Sequence, residues 1–468
     1  MQHIRHIICC ALLLGSAATA LQAQDLESAY FTDDYKYRHE MNPAMGAEQT
    51  YISIPALGNV NTSIMGNFGL EAIIKKNPVA GGKKNVTFMH PALTDAEALA
   101  DFHSGNNKIQ TDLALSLFSA GWKGWGGYNT IDLRMRMFAG ASVPYELFEF
   151  ARNTGNKSYD IDGLSAKATA YMELGLGHSH QLNDKLRIGA KVKLLLGAGM
   201  AEVGTTRLTA DLSQPNQWTI SGQARADVYM KGFKFKEEVK EYKDGSTYRQ
   251  VNDVDVDGGG IGGMGFGVDL GAVYDMKDLV EGLKLSAAVT DLGFINWKNH
   301  VSAANKASSF SFSGFHDIEV NDDNNRSLSN QWDDDYADQL TDFAHMEIEG
   351  EGSAKSTMLQ ATARLGGEYR MPFYDKLSAG LLLTHRFAGD YSWNEARLSA
   401  NWQPLRWLNG NINGAYSNFG GSLGWMINIH PKVFNFFFGM DHTLGKTTSQ
   451  GVPLAPKASV LIGMNVAW

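Results

Sequence analysis

Apolar and polar side chains alternate with a period of two over most of this chain. Ile131, Leu133, Met135 and Met137 oppose Asp132, Arg134 and Arg136, and Ala168, Ala170, Met172, Leu174 and Leu176 oppose Lys167, Thr169, Tyr171 and Glu173. Ile188, Ala190, Val192, Leu194 and Leu196 oppose Lys191 and Lys193, and Ala396, Leu398, Ala400 and Trp402 oppose Glu395, Arg397, Ser399 and Asn401. Successive side chains of a strand point to opposite faces, so this pattern predicts a chain of β-strands, each with one apolar and one polar face. In a soluble sandwich the apolar face meets a second sheet. In a membrane barrel it meets lipid while the polar face lines the lumen. The period fits both.

The two ends of the chain favour the barrel. In the last segment, Lys457 to Trp468, the residues Ala458, Val460, Ile462, Met464, Val466 and Trp468 share one face, and Ser459, Gly463 and Asn465 lie on the other. A terminal aromatic on the apolar face is similar to the sorting signal of outer-membrane β-barrels, whose closing strand pairs with the first. Trp468 is then an assembly signal for the barrel-assembly machinery. At the other end, Arg5, the short apolar run from Ile7 to Leu14, and small residues at Ala18, Ala20 and Ala23 read as a secretory signal peptide over residues 1–23. Both cysteines, Cys9 and Cys10, fall inside it, so the expected mature chain offers no disulfide, thiolate metal site or cysteine nucleophile.

Connections between the strands are unequal. Short ones occur at Asn183-Asp184, Pro372 to Lys376, Gln403-Pro404 and His430-Pro431-Lys432; long polar ones occupy about 231–262 and 294–354. Short periplasmic turns alternating with long external loops are the expected topology of an outer-membrane barrel. The expected fold is therefore all-β: a transmembrane antiparallel β-barrel of about 14 strands, with about 16 as the alternative because residues 50–68 and 200–217 are ambiguous. Pro144 to Arg152, with Gly155 beyond, and Thr94 to Phe102, with Thr94 and Glu97 spaced as a capping box, predict two short loop helices.

Composition narrows the function. After the signal segment no run of about 18 apolar residues remains, which argues against a helical membrane protein. Glycine at 50 of 468 residues and aromatics at 11% suit strands with aromatic girdles. A net charge of −9 without a basic stripe argues against nucleic acid as a partner.

Asn42-Pro43-Ala44, the glycine-rich strand Gly262 to Tyr274, the strand ending Asp291-Leu-Gly-Phe-Ile-Asn-Trp297, and the alternating C-terminus follow one another in this order. Together they resemble the long-chain fatty-acid transporter superfamily, most closely its Bacteroidota branches of uncharacterised outer-membrane proteins and type IX secretion shuttle barrels. The resemblance implies a 14-stranded barrel whose N-terminal segment plugs the lumen. It places Asn42, Pro43 and Ala44 in a plug over residues 24–48, with the barrel occupying 49–468. The large acidic insertions depart from the family, and no ligand-contacting motif matches residue by residue.

Other motifs fail on spacing. Asp253, Asp255, Asp257 and Gly258 copy the opening of a calcium loop, but Met264 stands where a bidentate glutamate is required. Gly260, Gly262 and Gly265 fit a dinucleotide fingerprint, yet a strand pattern follows instead of a helix. Gly445-Lys446-Thr447 lacks the first glycine of a phosphate loop, with Met440 in its place. The aspartates at 322, 323, 333, 334, 335, 338 and 342 read as a solvated loop, with calcium binding the alternative. His178 and His180 share a face beside a short turn and read as interfacial residues.

No catalytic set, cofactor site or metal site is expected. Asp132, Arg134, Arg136, Glu173, Lys191, Lys193, Glu395 and Arg397 are the expected lumen-lining residues. The leading expectation is an outer-membrane transporter or channel for a hydrophobic or amphipathic small molecule, lying among outer-membrane lipids. The alternative is a docking shuttle or scaffold for secreted or surface proteins, motivated by the long loops.

Overall fold

The computed structural model describes residues 26–468 apart from 48, 80–84, 154, 156, 215–216, 242–244, 306–308, 313–342, 344 and 444–457. Its antiparallel strands form one closed wall of 14 strands. The first, β1, runs as two pieces, Tyr51–Ser53 and Val60–Gly66. Next come β2 (Asn106–Gly124), β3 (Gly127–Pro144), β4 (Ser165–Gln181) and β5 (Leu186–Gln214). Strand β6 is again divided, into Gln217–Met230 and Gly263–Asp275. Strand β7 joins Leu283–Trp297, His300–Asn305 and Ser309–Phe312, and β8 joins Met346–Glu351, Lys355–Met358 and Thr362–Arg370. The rest are unbroken: β9 (Leu377–Arg386), β10 (Trp393–Leu405), β11 (Leu408–Ser417), β12 (Gly420–Ile429), β13 (Phe434–Thr443) and β14 (Ala458–Ala467).

Closure joins β14 to β1. Tyr51 pairs with Ala467 and Ile64 with Ala458. At the rim, the Thr50 and Trp468 backbones donate to each other's carbonyls, at 3.1 and 2.9 Å. Closing the sheet removes the two edges that would otherwise carry unpaired N–H and C=O groups. The count is 14 and not 16 because neither ambiguous segment adds a strand of its own. Residues 50–68 are one strand interrupted at 54–59, where Ala56 takes a positive φ, and 200–217 runs on from β5 to the start of β6.

Alternation sorts the side chains across the wall. On β10, Glu395, Arg397, Ser399 and Asn401 are buried while Leu398 and Trp402 are exposed. The outer surface is an apolar band that includes Leu176, Val192, Leu365, Leu398 and Ile412, and exposed aromatics gather at the short-turn end: Trp125, Phe373, Trp402, Trp407, Phe434 and Trp468.

The described parts of the two expected external loops contain strands. Among the described residues of 294–354, most continue β7 and β8 as paired strands, with Val301 opposite Glu351 and Phe294 opposite Met358. Residues 231–262 contain a hairpin, Phe233–Glu241 against Thr247–Val256, inserted between the two pieces of β6. Strand β5 pairs with the later piece of β6 over its first part and with the earlier piece over its last, so the wall rises into an extended sheet on this side. The strand pattern is masked there because both faces carry polar residues, as in Lys234, Lys236, Glu237 and Glu238. Asp253 and Asp255 lie on this hairpin, with Asp255 3.2 Å from Lys236. The aspartates of 322–342 and Gly445-Lys446-Thr447 lie outside the described residues.

At the long-loop end, a helix begins directly after Pro144 (Tyr145–Arg152), and a second, Asp95–Leu99, has the reciprocal Thr94 and Glu97 capping box. Phe102 and Phe148 stack between them at 4.0 Å, and Arg152 pairs with Asp95 at 3.0 Å.

Candidate functional site

Residues 26–47 take no part in the wall and lie within it. Leu26, Tyr30, Phe31, Tyr35, Tyr37 and Met41 form a buried cluster with the inward-facing Leu382, Met426, Phe437 and Leu461. Polar contacts fix the segment's path. The Arg364 guanidinium grips Glu27 like a fork, at 2.7 and 3.1 Å, the bidentate geometry that makes such pairs strong. Ser28 meets Arg397 at 2.8 Å and also contacts Asp441. Asparagines on the inner face donate to the segment's carbonyls: Asn411 to Ser28 at 2.8 Å, Asn435 to Asp34 at 3.3 Å, and Asn409 to Asp33. Burial, with the carboxylates of Glu40 and Asp132 nearby, pushes the Tyr37 phenol well above its ordinary value.

Asn42, Pro43 and Ala44 occupy a seat shaped by two wall glycines. A Cβ at Gly189 would collide with the backbone of Pro43 and Ala44, and one at Gly271 with the Asn42 side chain. Asn42 donates to the Tyr30 hydroxyl at 3.2 Å and to the carbonyls of Ala287 and Ala272 at 3.4 and 3.5 Å, while its own Oδ1 accepts from the Ala44 N–H at 3.0 Å.

The eight residues expected to line the lumen fall into two groups. On one side of the barrel, Lys191 donates to Asp132 at 2.6 Å, and Arg134 meets Glu40 of the inner segment at 3.1 Å. Arg136 lies 3.4 Å from Glu173 and 3.3 Å from Asp291. Lys193 is ringed by Asp291 at 2.6 Å, Asp269 at 2.8 Å and Glu173 at 3.6 Å. On the other side, Arg397 is shared by Glu395 at 2.6 Å and Asp441 at 2.8 Å. All eight are buried except Arg136, which is partly covered.

Sequence reasoning missed Glu27, Glu40, Asp269, Asp291, Arg364 and Asp441. The first two sit in a segment without periodicity. Asp269 and Asp291 fall at a register shift where Asp291 adopts a φ of 61° and its N–H donates to Asp269 at 2.7 Å. Arg364 and Asp441 alternate correctly and could have been found by the same count that gave Arg397.

His178 and His180 stand side by side, rings 5.8 Å apart, and His178 bonds Asn129 at 2.9 Å. Among the described residues no group of three or more metal-ligating side chains converges.

A family profile described as a family of unknown function (DUF5723) matches residues 43–441. No curated protein sequence matches the chain. Among solved structures, the Pseudomonas putida toluene transporter TodX is similar at 10% identity, covering 96% of this chain and 94% of that one, with a TM-score of 0.44. The Ralstonia pickettii toluene transporter TbuX is also 10% identical, over 93% and 94% of the two chains, with a TM-score of 0.41. A Pseudomonas aeruginosa FadL homologue is 10% identical over 96% and 99%, with a TM-score of 0.38.

Proposed function

The chain belongs to the family of unknown function DUF5723, and we propose that it is an outer-membrane transporter or channel for a hydrophobic or amphipathic small molecule, with residues 24–48 as its plug. The observation that carries this reading is the way residues 26–47 are held. They fill the barrel but share no strand pairing with it, so they can leave through broken hydrogen bonds and ion pairs while the wall stays closed. The lipid setting is supported by the apolar outer band and the aromatics gathered at the short-turn end, the arrangement that places a barrel across a bilayer. Inside, an apolar cluster of Leu195, Met200, Tyr229, Ile295 and Trp297 offers a surface for an apolar body, and the ion network beside it offers contacts for a polar head.

The experiment is flux into liposomes of purified protein against a deletion of residues 24–48. Faster flux from the deletion supports a displaceable plug; no flux from either form overturns transport. A second reading, a docking shuttle or scaffold for secreted or surface proteins, draws on the sheet that continues beyond the ring. Affinity purification from native membranes tests it, and recovery without a stoichiometric partner counts against it.

A further inference from the structure

The hairpin inserted in β6 has an apolar face that the wall only partly uses. Phe233 pairs with Val256 and Phe235 with Val254, so these four side chains share one face, and Lys234, Lys236, Asp253 and Asp255 share the other. The two phenylalanines are half-buried, with rings 5.0 Å apart, whereas Val254 and Val256 are 51% and 48% exposed. The charged face is tied by Lys236 and Asp255 at 3.2 Å. A register shift after Lys236 ends the apolar run, and the next residues are Glu237 and Glu238. Only the base of the hairpin is therefore amphipathic.

The level at which that base leaves the wall decides what its apolar face meets. On β5 the outward residues Ile188, Ala190, Val192, Leu194 and Ala198 are exposed. The ten residues from Ile188 to Ala198, on a strand tilted about 40°, climb about 25 Å, which is the height of a barrel's apolar band. The band therefore ends near Ala198. The hairpin departs there: the Gly262 N–H donates to the Gly197 carbonyl at 2.7 Å, and Met230 pairs with Gly199. Beside it, Met264 at the top of the band is 50% exposed, and Ile261 on the connection is 52% exposed. Ala226 and Val228 alternate with the inward Tyr229 and so face outward, yet both are buried where the hairpin packs on β6. The hairpin thus lies outside the ring, at the upper margin of the apolar band.

We infer that this hairpin is a lipid-binding element: Val254, Val256 and Ile261 extend the lipid-covered surface outward from Met264, and Lys234, Lys236, Asp253 and Asp255 stay in the headgroup and water layer. Lipid is the occupant because the exposed valines stand at the margin of a surface that lipid already covers, and their charged opposite face suits an interface between hydrocarbon and water. The inference rests on the membrane placement in the transporter reading and adds an attachment to the outer leaflet beyond the ring.

The test is nitroxide accessibility in nanodiscs of phosphatidylethanolamine and phosphatidylglycerol. Cys9 and Cys10 are the only cysteines of the sequence, so with both replaced by serine a single label reports from Val254→Cys, Val256→Cys, Lys234→Cys or Met264→Cys. Oxygen concentrates in hydrocarbon and a nickel chelate in water. The oxygen-to-nickel collision ratio at the two valine positions should approach that at Met264→Cys and exceed that at Lys234→Cys severalfold; either valine serves if the other variant does not fold. Ratios at both valines equal to that at Lys234→Cys overturn the inference and, with a lipid-like Met264→Cys, leave the membrane placement standing. Protection of the valines from both reagents signifies protein contact, by a second copy or another part of this chain, and overturns it too. A water-like ratio at Met264→Cys overturns the membrane placement and this inference with it.

Discussion

The wall has a regular arc and an irregular one. From β9 to β14 the strands are 10 to 13 residues long, and each is continuous. From β5 to β8 one strand reaches 29 residues, β6 is split by a hairpin, and β7 and β8 are broken repeatedly, with left-handed residues at Asp291 and Asn299. The arcs also hold the interior differently. Beside the cluster of Glu395, Arg397 and Asp441, the regular arc presents Asn409, Asn411, Asn413 and Asn435, neutral groups that bond the inner segment or one another. The irregular arc collects charges that bind one another across neighbouring strands, around Lys193. Regular alternation suffices to divide lipid from lumen and to bury the small cluster of Glu395, Arg397 and Asp441, while the larger cluster around Lys193 coincides with a bulge at Asp269 and Asp291.

The largest test of this contrast is Lys193→Ala, which leaves three carboxylates without their shared cation and should cost about 3–5 kcal/mol, read from denaturant unfolding in lipid. Asn413→Ala on the regular arc should cost only about 1 kcal/mol by the same measurement; equal losses would erase the distinction. Next, Gly189→Val should drive Pro43 and Ala44 from their seat at a cost of about 1–3 kcal/mol. Protease cleavage within residues 26–47, with heat-modifiable gel mobility retained, is the expected sign, and continued protection would show that the seat adapts. Deleting Trp468 should lower the folded fraction in the outer membrane several-fold, because it removes the last rim contact to Thr50; wild-type levels would refute its assembly role.

The smallest effect lies outside both arcs. Thr94→Ala should loosen the helix at Asp95–Leu99 by about 1 kcal/mol, measured by amide exchange corrected for intrinsic rate. Hydrogen bonds from the Thr94 backbone and side chain hold the Glu97 carboxyl below its ordinary value. Its contribution is therefore present above the unfolded glutamate's pKa and lost as pH falls through the lowered folded one. Exchange over 95–99 should accelerate in the wild type as pH falls from the unfolded glutamate's pKa through the lowered folded one, and change less in Thr94→Ala.

The fold was legible where one face is apolar and the other is not. Residues 131–137, 188–196, 396–402 and 458–468 carry that contrast plainly, and the closing strand announced itself through its apolar face. It was less legible in the described strands of 231–262 and 345–358, such as Phe233–Glu241, where polar residues stand on both faces. For the interior, alternation assigns Asp132 or Lys193 to a face of its strand and says nothing about what it meets. Glu27 and Arg364 are 337 positions apart, and only the curvature of a closed wall brings them together. Asp269 and Asp291 were hidden because a bulge shifts the phase of the pattern at the point where their charge collects.

The seating of residues 26–47 also bears on the order in which the molecule is put together. This segment is made before every strand of the wall and leads into β1, yet its neighbours Phe437 and Leu461 belong to the last two strands made. Its path descends from Ser28, beside Arg397, to Asp34, beside Gln403 and Asn435 near the short turns, before climbing to Glu40 and Arg134. The Ser28 end of the segment therefore points into the barrel, and the part nearest the short turns is a bend. The segment must either wait inside while the wall curls around it or enter later end first. In the first case its aromatic and ionic contacts become a mould for strands arriving hundreds of residues afterwards, and a stretch made before any strand of the wall records the shape that the final stretch must close upon.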